Sequence, residues 1–115
     1  MAVIGSDQWP RASLRAELIE RGYDAVGYVT LEDALVALAL PRAPRPHLFI
    51  LDLHEQPLDE RRLGALFRHG VPVVAIAGAA EAADEGRAPH PWAALLRRPL
   101  TIGTIADRAE AALRV

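Results

Sequence analysis

The sequence contains no cysteine and no lysine, and aromatic residues make up only 5% of it. Without cysteine the chain forms neither disulfides nor thiolate metal sites, which fits a reducing compartment, and we expect a cytoplasmic location. All 13 basic residues are arginine, which together with abundant alanine indicates genome composition rather than function. No apolar run is long enough to span a membrane, and the first one is too short for a signal peptide.

The net charge is also small, at −2, and gives no reason to expect a nucleic acid or an anionic membrane as partner. The chain has 115 residues, of which 51% are hydrophobic and 24% charged, as in ordinary globular proteins. This length predicts one domain over residues 1–115. The four histidines show no pair at helical ligand spacing, so we expect no zinc site.

Apolar segments of strand length alternate with segments of helical periodicity along the whole chain. Strands are predicted at 2–4, 23–29, 47–52, 71–76 and 92–96. Helices are predicted from the turn at Pro10 to Arg21, from the threonine cap at Thr30 to Leu40, over 58–69, marginally over 79–85, and over 102–113. This alternation predicts a parallel β-sheet with helices on both faces.

The third predicted strand is the most informative segment, because it is too apolar to be anything but buried and yet ends on Asp52. Ligands of open α/β sheets bind beyond the carboxyl ends of the parallel strands. Asp52 is therefore expected at the edge of the sheet where ligands bind and reactions take place.

The order of these features resembles that of a response-regulator receiver domain over essentially the whole chain. The similarity lies in Gly22-Tyr23, the segment 32–35, Leu51-Asp52-Leu53 with Pro57 close behind, the segment 71–74, and Arg98-Pro99-Leu100. The resemblance implies a flavodoxin-like three-layer α/β sandwich of five strand–helix units, with a parallel sheet in the order 2-1-3-4-5. It also implies a signalling module of a two-component phosphorelay system rather than an enzyme.

Receivers of this family use two acids that help hold Mg²⁺, an aspartate that accepts the phosphoryl group, a hydroxyl and a lysine. The resemblance makes Asp52 the phosphoacceptor. The acid pair aligns with Gly5 and Ser6, so both carboxylates are missing. Asp7 follows directly, and a slip of one residue would bring it into the metal site beside Asp52.

The remaining positions of the motif depart from the family as well. The hydroxyl position is Ala77, which has nothing to donate, and the lysine position is Arg98. Arginine keeps a permanent charge and binds phosphate, but with a different reach and geometry. The aromatic switch position on the fifth strand is Leu95. These departures imply a degenerate receiver, or pseudo-receiver.

We therefore expect a protein-interaction module that acts without phosphorylation and needs no cofactor. By the resemblance, a protein partner or a second copy of the chain would bind the face formed by helix 4, strand 5 and helix 5. The final helix and Leu95-Leu96 are the expected points of contact.

Two other functions remain open. One is a weak Mg²⁺-dependent phosphoacceptor that uses Asp52, with Asp7 as a metal ligand and Arg98 as the phosphate contact. The other is a module that binds a small anion or nucleotide between Arg98, the first helix and Trp9. No glycine-rich phosphate loop supports this second alternative.

Each of these side chains also has a purely structural interpretation. Asp52 would be a solvated strand-end acid that caps the following turn and pairs with Arg98. Asp7 would cap the first helix, the role we favour for it. The structural role of Trp9 would be an apolar lid over the end of that helix, whereas its functional roles would be to fill the vacated metal site or to anchor a partner. Arg97 would be a solvated strand end.

Overall fold

The computed structural model describes residues 1–114. Five strands alternate with five helices along the chain, as the periodicity predicts. In order, the elements are β1 (Ala2–Ile4), α1 (Gln8–Glu20), β2 (Val26–Tyr28), α2 (Leu31–Leu38), β3 (Phe49–Asp52), α3 (Glu60–Phe67), β4 (Val73–Ala77), α4 (Ala79–Arg87), β5 (Ala94–Arg97) and α5 (Ile102–Leu113).

The five strands form one parallel sheet in the order β2-β1-β3-β4-β5, which confirms the predicted fold class and strand order. The register places Ile4 beside Leu51, Asp52 beside Ile76, and Ala77 beside Arg97. The carboxyl ends of β1, β3, β4 and β5 therefore meet at one edge of the sheet.

Each face of the sheet buries its own hydrophobic cluster, and the helices complete a three-layer sandwich. Residues of α1 and α5 cover one face, in a cluster that includes Val3, Leu14, Leu18, Ile50, Val74, Leu96 and Ile105. Residues of α2, α3 and α4 cover the other face, in a cluster that includes Ile4, Leu31, Phe49, Leu51, Leu63, Leu66, Val73 and Ala82. Because both faces are buried, the central strands are apolar throughout rather than alternating.

Side-chain caps fix the first residues of three helices. Thr30 accepts a hydrogen bond from the backbone N–H of Asp33 at 3.1 Å, as the sequence pattern predicts. Asp59 and Thr101 cap α3 and α5 in the same way. Gly22 follows α1 with φ near +94°, a conformation that glycine adopts without a steric penalty.

Four strands differ in extent from their predicted ranges, and β3 begins at Phe49 rather than at residue 47. β2 begins only at Val26, because the N–H of Tyr23 bonds to Leu18 O and belongs to the end of α1. β4 begins at Val73 and runs on to Ala77, where it pairs with Arg97. β5 is shifted by two residues at its start, to Ala94. None of the helices within residues 1–114 is long and apolar enough to cross a membrane.

The central strand β3 supplies a test of this packing. Phe49 is fully buried, at 0% exposure, so Phe49→Ala should lower the free energy of unfolding by about 3–5 kcal/mol in urea denaturation. Val36 on α2 is 61% exposed, and Val36→Ala should change the same quantity by less than about 0.5 kcal/mol. Equal effects of the two substitutions would contradict the burial described for β3.

Candidate functional site

Asp52 is the last residue of β3 and one of two buried charged residues within the described chain, at 8% exposure. Its Oδ1 accepts a hydrogen bond of 3.0 Å from the backbone N–H of His54. Asp52 therefore caps the turn after β3, as its structural interpretation predicts. The expectation that this carboxylate is solvated is wrong, because the surrounding strand ends enclose it.

Arg98 binds both oxygens of Asp52. Its Nη1 donates to Oδ1 at 3.0 Å, and its Nη2 donates to Oδ2. The backbone positions Arg98 for this contact, since its N–H bonds to Ala77 O at 3.0 Å. The hydrogen bonds to Asp52 raise the pKa of Arg98 above its ordinary value, against the opposing effect of partial burial. The two residues form a bidentate ion pair at the carboxyl edge of the sheet.

The positions of the missing acid pair carry other contacts. Gly5 is buried, and its carbonyl accepts a 2.6 Å hydrogen bond from Nη1 of Arg11. The hydroxyl of Ser6 donates to His54 O at 3.1 Å. The stem of Arg11 crosses Gly27 of β2, where even a Cβ atom would come within 3.3 Å of it. A guanidinium thus lies at the end of β1, where the receiver motif has carboxylates.

Asp7 is exposed and occupies the N-cap position of α1, but its side chain accepts no hydrogen bond there. Asp7 thus occupies the predicted cap position, but its side chain does not cap the helix. Asp7 and Asp52 both line a cavity of about 30 Å³, together with Arg98. The negative charge of Asp7 contributes, after the larger effect of Asp52, to the raised pKa of Arg98.

These residues do not fit a Mg²⁺ site of the receiver kind. Mg²⁺ requires oxygen ligands in near-octahedral geometry and is usually bound by one or two carboxylates. Here Gly5 and Ser6 supply no carboxylate, and both oxygens of Asp52 are engaged by Arg98. Within residues 1–114 no group of three or more metal-ligating side chains comes together.

The two switch positions are both apolar and packed. Ala77 is fully buried at the end of β4, at 0% exposure. Leu95 is half-buried and packs against the cluster that α2, α3 and α4 cover. Neither side chain carries a polar group that responds to a phosphoryl group on Asp52.

Two of the three roles expected for Trp9 are wrong, and the third, as an exposed anchor for a partner, stays a prediction. Its side chain is 81% exposed on the first turn of α1, so it neither fills the pocket beside Asp52 nor covers the end of the helix. Arg97 is exposed at the end of β5, as expected.

Two residues of the site were not predicted. Arg11 is one, and Gln56 in the loop after β3 is the other. The side-chain amide of Gln56 donates to Val29 O at 2.8 Å and accepts from the N–H of Leu31 at 3.1 Å, which ties the loop to the start of α2. The only sequence signal for this role is an amide placed one residue before Pro57.

Several solved protein structures superpose on this chain over almost its whole length. The receiver domain of NtrX from Brucella abortus superposes with a TM-score of 0.76 and 24% identity, over 99% of this chain and 98% of that one. A response regulator receiver domain protein from Clostridium thermocellum gives a TM-score of 0.80 and 14% identity, over 98% and 92% of the two chains. The chemotaxis protein CheY4 of Vibrio cholerae gives 0.75 and 15%, over 96% and 95%.

The chain has the receiver-domain fold. It covers 26% of a longer NtrX chain from Brucella abortus, which it matches with 24% identity and a TM-score of 0.77. No protein-family model matches the sequence. No curated protein matches it either.

The ion pair at the site can be measured by a double-mutant cycle. Arg98→Met strands a buried carboxylate and should lower the free energy of unfolding by about 1–2 kcal/mol, less than for a fully buried pair because solvent screens the partly exposed guanidinium. Adding Asp52→Asn removes the unpaired charge and should recover most of that loss in urea denaturation. Additive effects of the two substitutions would show that the ion pair contributes no coupling energy.

Proposed function

We propose that this domain is a receiver-like signalling and protein-interaction module of the two-component kind that acts without phosphorylation. The observation that carries the proposal is the ion pair between Asp52 and Arg98, in which the guanidinium engages both carboxylate oxygens. The fold shared with receiver domains of response regulators supports the signalling part of the proposal. The altered site supports its independence from phosphorylation.

Phosphoryl transfer to an aspartate requires a free carboxylate oxygen and a cation that offsets the charge of both reactants. In this site the carboxylate that would attack is bound to Arg98. The residues at positions 5 and 6 have no carboxylates to hold a metal, and Ala77 has no hydroxyl to bind a new phosphoryl oxygen. Each requirement of the reaction is thus missing or already engaged within the site.

The same ion pair leaves the site without the side-chain movements of a phosphorylation switch. A receiver that works by phosphorylation moves its hydroxyl and lysine side chains onto the new phosphoryl group. Here Arg98 already contacts the acid at the end of β3, and the fully buried Ala77 has no side-chain group to move. We infer that the domain presents to its partner a surface that does not change through phosphorylation.

A weak phosphoacceptor is the second candidate function. The observations in its favour are that Asp52 is retained at the end of β3 and that Asp7 lines the same small cavity. For this function Arg98 would have to release Asp52 and bind the phosphoryl oxygens instead.

Intact-mass spectrometry after incubation with acetyl phosphate and Mg²⁺ distinguishes the two functions. We expect no phosphoryl adduct on the wild-type domain, and no response of tryptophan fluorescence to Mg²⁺, because the ion pair occupies the acceptor. A receiver domain that accepts phosphate from acetyl phosphate serves as positive control. An adduct on the wild type that is absent from Asp52→Ala would contradict the proposal and establish the phosphoacceptor function.

A site for a small anion or nucleotide has less support. The cavity beside Arg98 and the N-terminus of α1 has a volume of about 30 Å³. This volume is close to that of one water molecule and far below the roughly 300 Å³ of small-molecule sites. The guanidinium that would bind the anion is already neutralised by Asp52.

We further propose that the docking surface is the face formed by α4, β5 and α5. Leu96 is buried at 3% exposure and Leu95 is half-buried, so these leucines belong to the core rather than to an exposed contact. The exposed charges on this face have mixed signs: Asp84 and Arg87 on α4 pair with each other at 3.3 Å, and Arg97, Asp107 and Arg108 lie on β5 and α5. A surface of mixed charge allows opposite charges of two copies to face each other across a two-fold axis, so we propose a self-dimer as the partner.

Sedimentation velocity over a range of protein concentrations tests the self-dimer. Arg97→Glu and Arg108→Glu place like charges opposite each other across the dimer, so both variants should stay monomeric where the wild type associates. Arg42→Glu, in the exposed loop before β3, is the matched control and should associate like the wild type. A monomeric wild type, or equal association of all four proteins, would exclude self-pairing through this face.

A further inference from the structure

The helix α4 is held to the rest of the domain by few apolar contacts. Its only buried residues are Ala82 and Glu85, whereas α3 buries Leu63 and Leu66. Alanine supplies little apolar area, so burial alone anchors α4 weakly. The main anchor of this helix is therefore the group of polar contacts around Glu85.

Glu85 is bound from two sides by His90, in the segment that connects α4 to β5. Its Oε2 accepts the backbone N–H of His90 at 2.8 Å, and its Oε1 lies 2.5 Å from the ring Nδ1. The other ring nitrogen, Nε2, lies 3.2 Å from Oε1 of Glu60 at the start of α3. A single imidazole ring thus bridges α3 and α4.

This arrangement determines the protonation state of the ring. A neutral imidazole has one N–H donor and one acceptor nitrogen, and a carboxylate accepts hydrogen bonds but donates none. Because both ring nitrogens of His90 face carboxylate oxygens, only the imidazolium donates to both. A neutral ring would instead place its unprotonated nitrogen against a carboxylate oxygen of Glu60 or of Glu85, and no hydrogen bond would form there.

Two aromatic rings fix the position of the imidazole. Phe67 stacks on His90 with ring centroids 6.4 Å apart, and Trp92 packs at 5.6 Å. The side chain of His90 is only 19% exposed and that of Glu85 only 10% exposed. The contact between His90 and Glu85 is thus shielded from water enough for their charges to interact strongly, whereas Glu60 is exposed to solvent.

We propose that Glu85, His90 and Glu60 form a proton-controlled clasp: the imidazolium holds α4 and the 88–93 segment against α3, and loss of its proton loosens them. The clasp lies apart from Asp52, and it holds whether or not α4 takes part in docking. It makes the position of α4 responsive to pH.

Other charged groups also lie near the cluster. Asp59 on α3, and Glu81 and Asp84 on α4, line the same groove between the two helices, and no arginine lines it among residues 1–114. Arg62 pairs with Asp59 at 2.9 Å and Arg87 pairs with Asp84 at 3.3 Å, so these two carboxylates are partly neutralised, and Glu81 adds negative charge to the groove. Partial burial lowers the pKa of His90, but its hydrogen bonds to Glu85 and Glu60 outweigh that effect and hold the pKa above 6.5. Burial likewise raises the pKa of Glu85, but the hydrogen bonds from His90 bring it below 4.5.

The direction of the pH response follows from these shifts. The folded state favours protonated His90, so its contribution is complete below about pH 6.5 and is lost as the pH rises through the higher pKa of the folded protein. The contribution of ionised Glu85 is present above pH 4.5 and is lost as the pH falls through its lowered pKa. The clasp is closed between these limits and opens on the alkaline side.

Hydrogen exchange of the α4 amides, measured between about pH 5.5 and pH 9 and corrected for intrinsic exchange rates, tests the clasp. We expect a several-fold rise in α4 opening that follows the titration of the His90 ring seen by NMR. His90→Gln should open α4 at every pH and remove the pH dependence. Glu60→Gln changes a side chain that is 86% exposed, and it should move the transition to lower pH because the ring loses one anionic partner.

His54→Gln is the matched control, because His54 also faces α4, with its Nδ1 3.7 Å from Oε1 of Glu81. This variant should keep the pH profile of the wild type. A wild-type profile that is flat with pH, a profile that survives His90→Gln, or one that disappears in His54→Gln would each overturn the proposal. An unshifted transition in Glu60→Gln would overturn the part of the clasp that reaches α3.

Discussion

The ion pair between Asp52 and Arg98 sets the character of the whole carboxyl edge of the sheet. β4 lies between β3 and β5, so the side chain of Arg98 must pass over the end of β4 to reach Asp52. The last residue of β4 is Ala77, which is fully buried and brings no hydroxyl group to that edge. Ala77 and Arg98 thus belong to one arrangement, in which a guanidinium of the chain itself neutralises Asp52.

The fold was predictable because it depends on patterns that the chain carries locally. The buried strands are continuous apolar runs, and the cap at Thr30 is visible from its own segment. The resemblance, rather than the periodicity, supplied the strand order. The strand limits were missed where hydrogen bonds to other segments decide them: the N–H of Tyr23 bonds back into α1, and Ala77 joins β4 because Arg97 pairs with it.

The site was only partly predictable, for a physical reason. Asp52 and Arg98 end neighbouring strands, so parallel topology alone brings them near each other. Arg11 reaches the end of β1 only because Gly27, on a different strand, leaves room for its stem. The exposure of Trp9 depends on the rotational setting of the first turn of α1, which no local pattern determines. Contacts that need two distant segments to be in register are beyond sequence reasoning alone.

The environment of Gly5 determines what a side chain would meet at the end of β1. A Cβ atom at this position would lie 3.5 Å from the Cβ of Asp52, which is an ordinary van der Waals contact. The backbone at this position therefore has space for the Cβ atom of a larger residue. An acid introduced at this position would meet the guanidinium of Arg11 before any metal ion, because Arg11 already binds the Gly5 carbonyl. A metal site at this edge would thus require Arg11 and Arg98 to withdraw as well as carboxylates to be introduced, so no single substitution would create one.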